Sequence, residues 1–303
     1  MTQANLETRT DTYSDQLLGF SIPSRNARGR LVRLDDVLGE ILSAHNYPPP
    51  VAHLLGEALV VTSLIGGLLK GEQAQVTLQA QAKGGVATLL VCDFRNGNLR
   101  GYVEFDEAKL ESVGSSPTLE TMFGEGFLAL TIETGAGKRY QGIVPLEGES
   151  IGKACELYFV QSEQVPTLIR TASEGSGTSF RASGFLVQHL AEGEEGRERL
   201  HVKLDHPEWE HVAIMGGSIG HAELLDRGLS LETIVWRLFH EEDEVRVQSG
   251  ASITRGCRCT VEHYESVLRQ FPVDEQRDMA DETGLVRVDC AFCSRQFAID
   301  LGG

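Results

Sequence analysis

Four cysteines near the C-terminus constrain this chain more than any other feature. Gly256-Cys257-Arg258-Cys259 is followed, after a spacer of 30 residues between the pairs, by Cys290-Ala291-Phe292-Cys293. Two close pairs on two separated turns make a tetrahedral thiolate cage. Soft thiolates select zinc over the hard cations, and four protein ligands leave no open coordination position for catalysis. Cys257, Cys259, Cys290 and Cys293 are therefore the candidate ligands of one zinc per chain. His263 lies close enough to Cys259 in sequence to be weighed as a ligand, but four thiolates already fill the site. A Cys-x-Cys pair can chelate a metal yet makes a poor disulfide, because its small ring strains the preferred dihedral of about 90°. Cys290 and Cys293 thus form the pair that oxidises easily, and Cys257 and Cys259 the reluctant one. Val286–Asp289 and Gln296–Asp300 flank the second pair as a β-hairpin would, which argues against a thioredoxin-type site, where the pair opens a helix.

Ahead of this cluster, residues 1–190 read as one α+β unit, antiparallel sheet packed against helices. Pro48-Pro49-Pro50 stops whatever precedes it. Leu54, Leu55, Ala58 and Leu59 then follow at helical spacing, for a helix that reaches Gly66-Gly67 or Lys70. The run Val51–Leu69 has the length of a membrane span, but it holds His53, Glu57 and three glycines and reads as a buried helix. The period then changes. Gln75–Gln81 alternates, Val86–Phe94 is a strand, and Asn96-Gly97 turns the chain into Leu99–Phe105. Phe127–Glu133 and Tyr140–Pro145 form a second pair across Gly135–Lys138, and Glu174–Ser179 reads as a flexible joint before a last strand within Phe180–Leu190.

Residues 191–245 read as a helical linker of marginal stability, with Glu192–Arg199 as an exposed link. Pro207 suits the first position of a helix ending before Gly216-Gly217. Ser230 is a good N-cap for Leu231–His240, where Leu231, Ile234, Val235, Leu238 and Phe239 form an apolar stripe. Glu241-Glu242-Asp243-Glu244 crowds the end of that helix, where the macrodipole disfavours a single negative group by about 0.3–1 kcal/mol. The remainder, residues 246–303, is assigned to the zinc module. A unit of about fifty residues is too small for a self-sufficient core. Its fold leans on metal binding, worth roughly 10–16 kcal/mol at neutral pH. Loss of the metal is expected to melt the module and to remove the packing partner of the linker helix.

Other motifs carry less. Gly216-Gly217-Ser218-Ile219-Gly220 matches a nucleophile elbow but lacks room after it for the acid and histidine from later strands, and reads as a turn between helices. Gly135-Ala136-Gly137-Lys138 fails as a phosphate loop, because Ile132 stands where the first glycine belongs and Arg139 where a magnesium-binding hydroxyl belongs. Cys92 and Cys155 sit among apolar residues and helix formers and read as small buried hydrophobes. No acid/base pair or triad survives, so an enzyme is not expected. With 44 acidic against 27 basic residues, a net charge of -17, the surface repels phosphate backbones and anionic membranes, so neither nucleic acid nor membrane is expected as a partner. The segment Met1–Thr12 lacks the apolar core of a secretory signal, and the cysteine usage fits a reducing cytoplasm.

The cysteine motif, at the C-terminal end of an acidic chain of this size, resembles the redox-regulated 33 kDa chaperonin family. The runs HLLGEALVVTSLIGGLLK (from His53), SGFLVQHL (from Ser183) and LSLETIVWRLF (from Leu229) look like that family's segments in corresponding places. The resemblance implies a holdase that works without ATP and binds unfolding client proteins. It implies an inactive reduced state with zinc on the four cysteines. Oxidation would form Cys257–Cys259 and Cys290–Cys293 disulfides, release zinc, unfold module and linker, and favour a homodimer. The exposed stripe Leu231, Ile234, Val235, Leu238 and Phe239 is then the candidate client surface. The competing reading is a structural zinc ribbon that docks other proteins without redox gating.

Overall fold

A computed structural model describes residues 15–301 apart from 112, 115–116, 136 and 191–205. The link expected over Glu192–Arg199 lies outside the described residues. The chain opens with β1 (Gln16–Ile22) and β2 (Ala27–Leu34), then α1 (Asp36–Leu42) and α2 (Pro49–Gly66). β3 (Gln75–Gly84), β4 (Ala87–Arg95) and β5 (Asn98–Phe105) form a meander. The short helices α3 (Glu107–Leu110) and α4 (Leu119–Phe123) lead on to β6 (Gly124–Glu133) and β7 (Arg139–Pro145). After α5 (Ile151–Tyr158), β8 (Thr167–Glu174) and β9 (Arg181–His189) return to the first sheet. Helices α6 (Pro207–Gly217), α7 (His221–Leu225) and α8 (Leu231–Phe239) follow. The last elements are β10 (Arg246–Ser252), β11 (Thr254–Arg255), α9 (Val261–Leu268), α10 (Val273–Met279), β12 (Leu285–Asp289) and β13 (Gln296–Asp300).

Two sheets result, one five-stranded in the order β10-β1-β2-β9-β8 and one six-stranded in the order β11-β5-β4-β3-β6-β7. The fold is α+β, as its sequence pattern predicts. Helix α2 is apolar around most of its circumference because it lies between the two sheets, where 78% of the span-length stretch is buried in the same core as β2, β4 and β9. The Asn96-Gly97 turn joins β4 to β5 with both residues at positive φ, the backbone that this hairpin turn requires.

The five-stranded sheet is covered on both faces, which is why β9 is buried along its whole length after Arg181. One face meets α2. The other meets α6, α7 and α8 through Leu18, Phe20, Leu31, Phe185 and Val187. Ser230 caps α8 by accepting from the Thr233 N–H, and the stripe Leu231, Ile234, Val235, Leu238 and Phe239 is buried, with Phe239 5.6 Å from Phe20. Trp236, on the opposite side of α8, is 64% exposed.

Three expectations change. Glu174–Ser179 is not a joint between units: Glu174 and Arg181 face each other in one ladder, so the segment is a hairpin loop inside a sheet. The stripe of α8 does not pack on the cysteine module, because its apolar cluster draws only on β1, β2, β8, β9 and the linker helices themselves. Residues 246–255 also belong with the sheets. β10 pairs antiparallel with β1 and β11 pairs parallel with β5, so this stretch adds an edge strand to each sheet and stitches the two together.

The charge run after α8 also differs from a purely adverse one. The Glu242 side chain is only 5% exposed and takes hydrogen bonds from Arg25 Nε at 2.8 Å and His211 Nε2 at 2.7 Å, while Arg25 also reaches Glu208 at 2.5 Å. Arg33, buried on β2, donates to the backbone carbonyls of Leu229 and Asp226 at 3.0 and 3.1 Å. Two core arginines therefore clamp the linker. Burial alone would push Glu242 up, but Arg25 and His211 overcome it and hold the carboxyl below the usual carboxylate range. A carboxylate depressed in the folded state stabilises fully above its unfolded value of about 4.3 and loses that contribution as pH falls through the lower folded value. Arg25→Ala is therefore expected to destabilise linker docking by about 1–3 kcal/mol at neutral pH, since it strips a buried charge of its main partner. Glu242→Gln should flatten the acid limb of thermal stability. Unchanged melting curves across pH in both variants would contradict the clamp.

Candidate metal centre

The two cysteine pairs are brought together by local structure that each pair's own neighbours dictate. Cys257 and Cys259 lie on the extended connection between β11 and α9. Thr260 ends that connection, its side chain capping α9 by accepting from the His263 N–H. Cys290 and Cys293 sit at the tip of the β12–β13 hairpin, where the Cys293 and Ser294 N–H groups donate to the Cys290 carbonyl and Cys290 N–H donates to Arg295. The hairpin expected around the second pair is present.

Cys257 Sγ lies 3.3 Å from Cys259 Sγ and 3.5 Å from Cys290 Sγ, and Cys259 Sγ lies 3.4 Å from Cys293 Sγ. All four sulfurs fall within 4.8 Å of one another. A tetrahedron with metal–sulfur bonds of about 2.3 Å has edges of about 3.8 Å. The donor set and spacing therefore fit one zinc ion, and no open face remains for a substrate. His263 is outside the group. Cys92 and Cys155 are outside the group, buried in β4 and α5, and burial pushes both thiols well up.

Tyr264, on α9, is a member of the site that sequence reasoning missed. Its ring packs on Phe297 at 5.0 Å, which sets its hydroxyl beside the Cys290 sulfur. Burial alone would raise the Cys290 thiol. The Tyr264 hydroxyl, the Phe292 and Cys293 N–H groups and the Cys257 thiol outweigh that and bring it down to about 6. The signal for Tyr264 was its spacing from the Thr260 cap, which turns it toward the hairpin. Among the described residues of the module, the buried apolar cluster is small, Leu268, Val286 and Ile299, with partly buried Tyr264, Val288 and Phe297 packed against it.

Replacing Cys92 and Cys155 together by Ala should leave zinc at one per chain, whereas Cys290→Ser should lose most of it, both read by metal analysis of the reduced protein. Zinc loss in the Cys92/Cys155 double variant would remove the four-thiolate assignment.

Comparison with known proteins agrees with this architecture along the whole chain. A family model described as Hsp33 protein matches residues 15–300. The 33 kDa chaperonin of Caulobacter vibrioides (strain NA1000 / CB15N) is 36% identical over 302 residues, covering 97% of this chain and 97% of its own. That of Pseudomonas syringae pv. syringae (strain B728a) is 36% identical over 284 residues, with 93% and 89% covered. Among solved structures, the 33 kDa chaperonin (Heat shock protein 33 homolog) from Thermotoga maritima aligns with a TM-score of 0.74 over 95% of both chains at 21% identity, a likeness of fold. With the match spanning both sheets, the linker helices and the four-cysteine module, this chain belongs to the Hsp33 family.

Proposed function

We propose that this chain is an ATP-independent holdase that is inactive when its four module cysteines are reduced and hold zinc, and active when they are oxidised. The observation that carries this reading is the convergence of four thiols in a module with a small buried apolar cluster, on a protein whose amphipathic linker stripe is covered. Zinc on Cys257, Cys259, Cys290 and Cys293 would supply the folding free energy that the module's own core lacks, roughly 10–16 kcal/mol.

Oxidation removes those ligands in pairs. Two sulfurs lose two electrons to a peroxide, its O–O bond breaks, and two protons from thiol or solvent complete two waters. Cys290 and Cys293, with the less strained ring, close first. The Cys257–Cys259 ring closes once the module has melted and no longer imposes its geometry. Melting withdraws β11 from β5 and frees the chain that leads back through β10 to α8, so the linker can leave the sheet. Leu231, Ile234, Val235, Leu238 and Phe239 then become the surface for unfolded client proteins, and the net charge of -17 keeps the complex dispersed. A homodimer in the oxidised state and a cytoplasmic setting belong to the same reading.

The test is a client-aggregation assay on reduced and peroxide-treated protein, with disulfides mapped over time by mass spectrometry. Suppression only after oxidation, with Cys290–Cys293 forming before Cys257–Cys259, is expected. Equal suppression by reduced, zinc-loaded protein would reject redox gating and favour a structural zinc ribbon.

A further inference from the structure

The module does not hang from the chain; it rests on the outer face of the six-stranded sheet, and the contacts come from inside the cysteine pairs. Arg258, the residue between Cys257 and Cys259, reaches Gln75 on β3 at 2.8 Å and the buried Asp93 on β4 at 3.2 Å. Phe292, between Cys290 and Cys293, stands edge-on to Tyr102 of β5 with centroids 4.9 Å apart, and Arg100 lies over its ring at 3.9 Å. Next to the second pair, Ser294 Oγ bonds His45 Nδ1 at 3.1 Å. Gly256 enters the module so close to β5 that a Cβ there would fall 2.3 Å from that of Asn98.

We propose that Arg258 and Phe292 are the pegs that dock the four-cysteine module onto this sheet, and that closing Cys290–Cys293 pulls Phe292 off while the later Cys257–Cys259 closure keeps Arg258 from returning. The second half rests on the redox reading above; the first half does not. Each disulfide ring contains the backbone of its own peg. Closing Cys290–Cys293 first redirects the backbone of Phe292 while the module is still docked. Once the module has melted, closing Cys257–Cys259 brings sulfurs that lay 3.3 Å apart in the folded module to a bond of about 2.05 Å through a strained small ring that includes the Arg258 Cα. The chemistry is the two-electron step already balanced, with a peroxide as oxidant and two waters as product. A contact that depends on a bidentate reach to Gln75 and Asp93, or on a ring held under a guanidinium, does not survive redirection of its backbone.

The sheet is prepared for the departure. Asp93 keeps Arg100 at 2.8 Å from Nε and Thr77 at 2.5 Å, so losing Arg258 does not strand a buried charge. Undocking therefore leaves a satisfied sheet surface. Release at this point is local, whereas breaking a contact whose loss left Asp93 unpaired would threaten the core as well.

The experiment uses the full-length, reduced, zinc-loaded chain. In an Arg258→Ala/Phe292→Ala double variant, zinc should stay at one per chain. Amide-exchange protection should fall at β5 around Arg100–Tyr102, and peroxide should oxidise the module cysteines several-fold faster. Tyr102→Ala, made on the sheet and away from the metal site, should reproduce the exchange and rate changes, while Phe292→Tyr should restore wild-type behaviour. Full protection at β5 together with a wild-type oxidation rate in both the double variant and Tyr102→Ala would overturn the pegs. Absence of any disulfide in peroxide-treated wild type would overturn the release step and the redox reading, with the reduced-state exchange still deciding the docking.

Discussion

A module whose buried apolar cluster is Leu268, Val286 and Ile299 cannot hold a fold by its own hydrophobic effect, and the rest of this structure is arranged around that deficit. Burying one large apolar side chain contributes about 1.5–3 kcal/mol. Ordering each residue costs about 1–2 kcal/mol in backbone entropy alone. Residues 256–301 are many and their core is small, so the four sulfurs, all within 4.8 Å of one another, are the interaction that makes this segment a folded body. Its β12–β13 hairpin, two short helices and docking onto the six-stranded sheet all follow from that closure.

The linker is held differently. Its apolar stripe completes the core on the open face of the five-stranded sheet, and its polar fastenings are Arg25 to Glu242 and Glu208, and Arg33 to the loop carbonyls before α8. The module touches none of that stripe. The physical route between them is the chain itself. β11 is two residues long and is the last thing the chain does on β5 before the first cysteine. β10 is the edge strand that links it back to α8. Edge strands are the elements most easily lost from a sheet, so in the proposed switch a melted module would act on the linker by peeling two edges, not by vacating a packing surface.

Much of this was legible from residues alone. The metal cluster followed from paired cysteines, the β4–β5 turn from Asn96-Gly97, and α8 from the Ser230 cap and an apolar stripe at helical spacing. The span-length run Val51–Leu69 was placed inside the protein by the polar and glycine residues that it carries. What escaped was long-range. A partner of Glu242 is Arg25, 217 residues earlier, so a charge run that reads as adverse to the helix end includes a buried ion pair. Residues 246–255 form edge strands whose pairing depends on sheets built far upstream, and no local pattern announces that register. Arg258 and Phe292 carry no local signal of a role, because their contacts on β3, β4 and β5 exist only once the fold has formed.

The account stands or falls on the order in which regions loosen when the cysteines are oxidised. Time-resolved amide exchange on the full-length chain, sampled from the addition of peroxide onward, measures that order directly. The account expects residues 256–301 to lose protection first, β10 and β11 next, then α6 to α8, while β3, β4 and β6 remain as protected as in the reduced protein. Simultaneous loss across the linker and both sheets would show a global unfolding and contradict a switch built on the four-thiolate module.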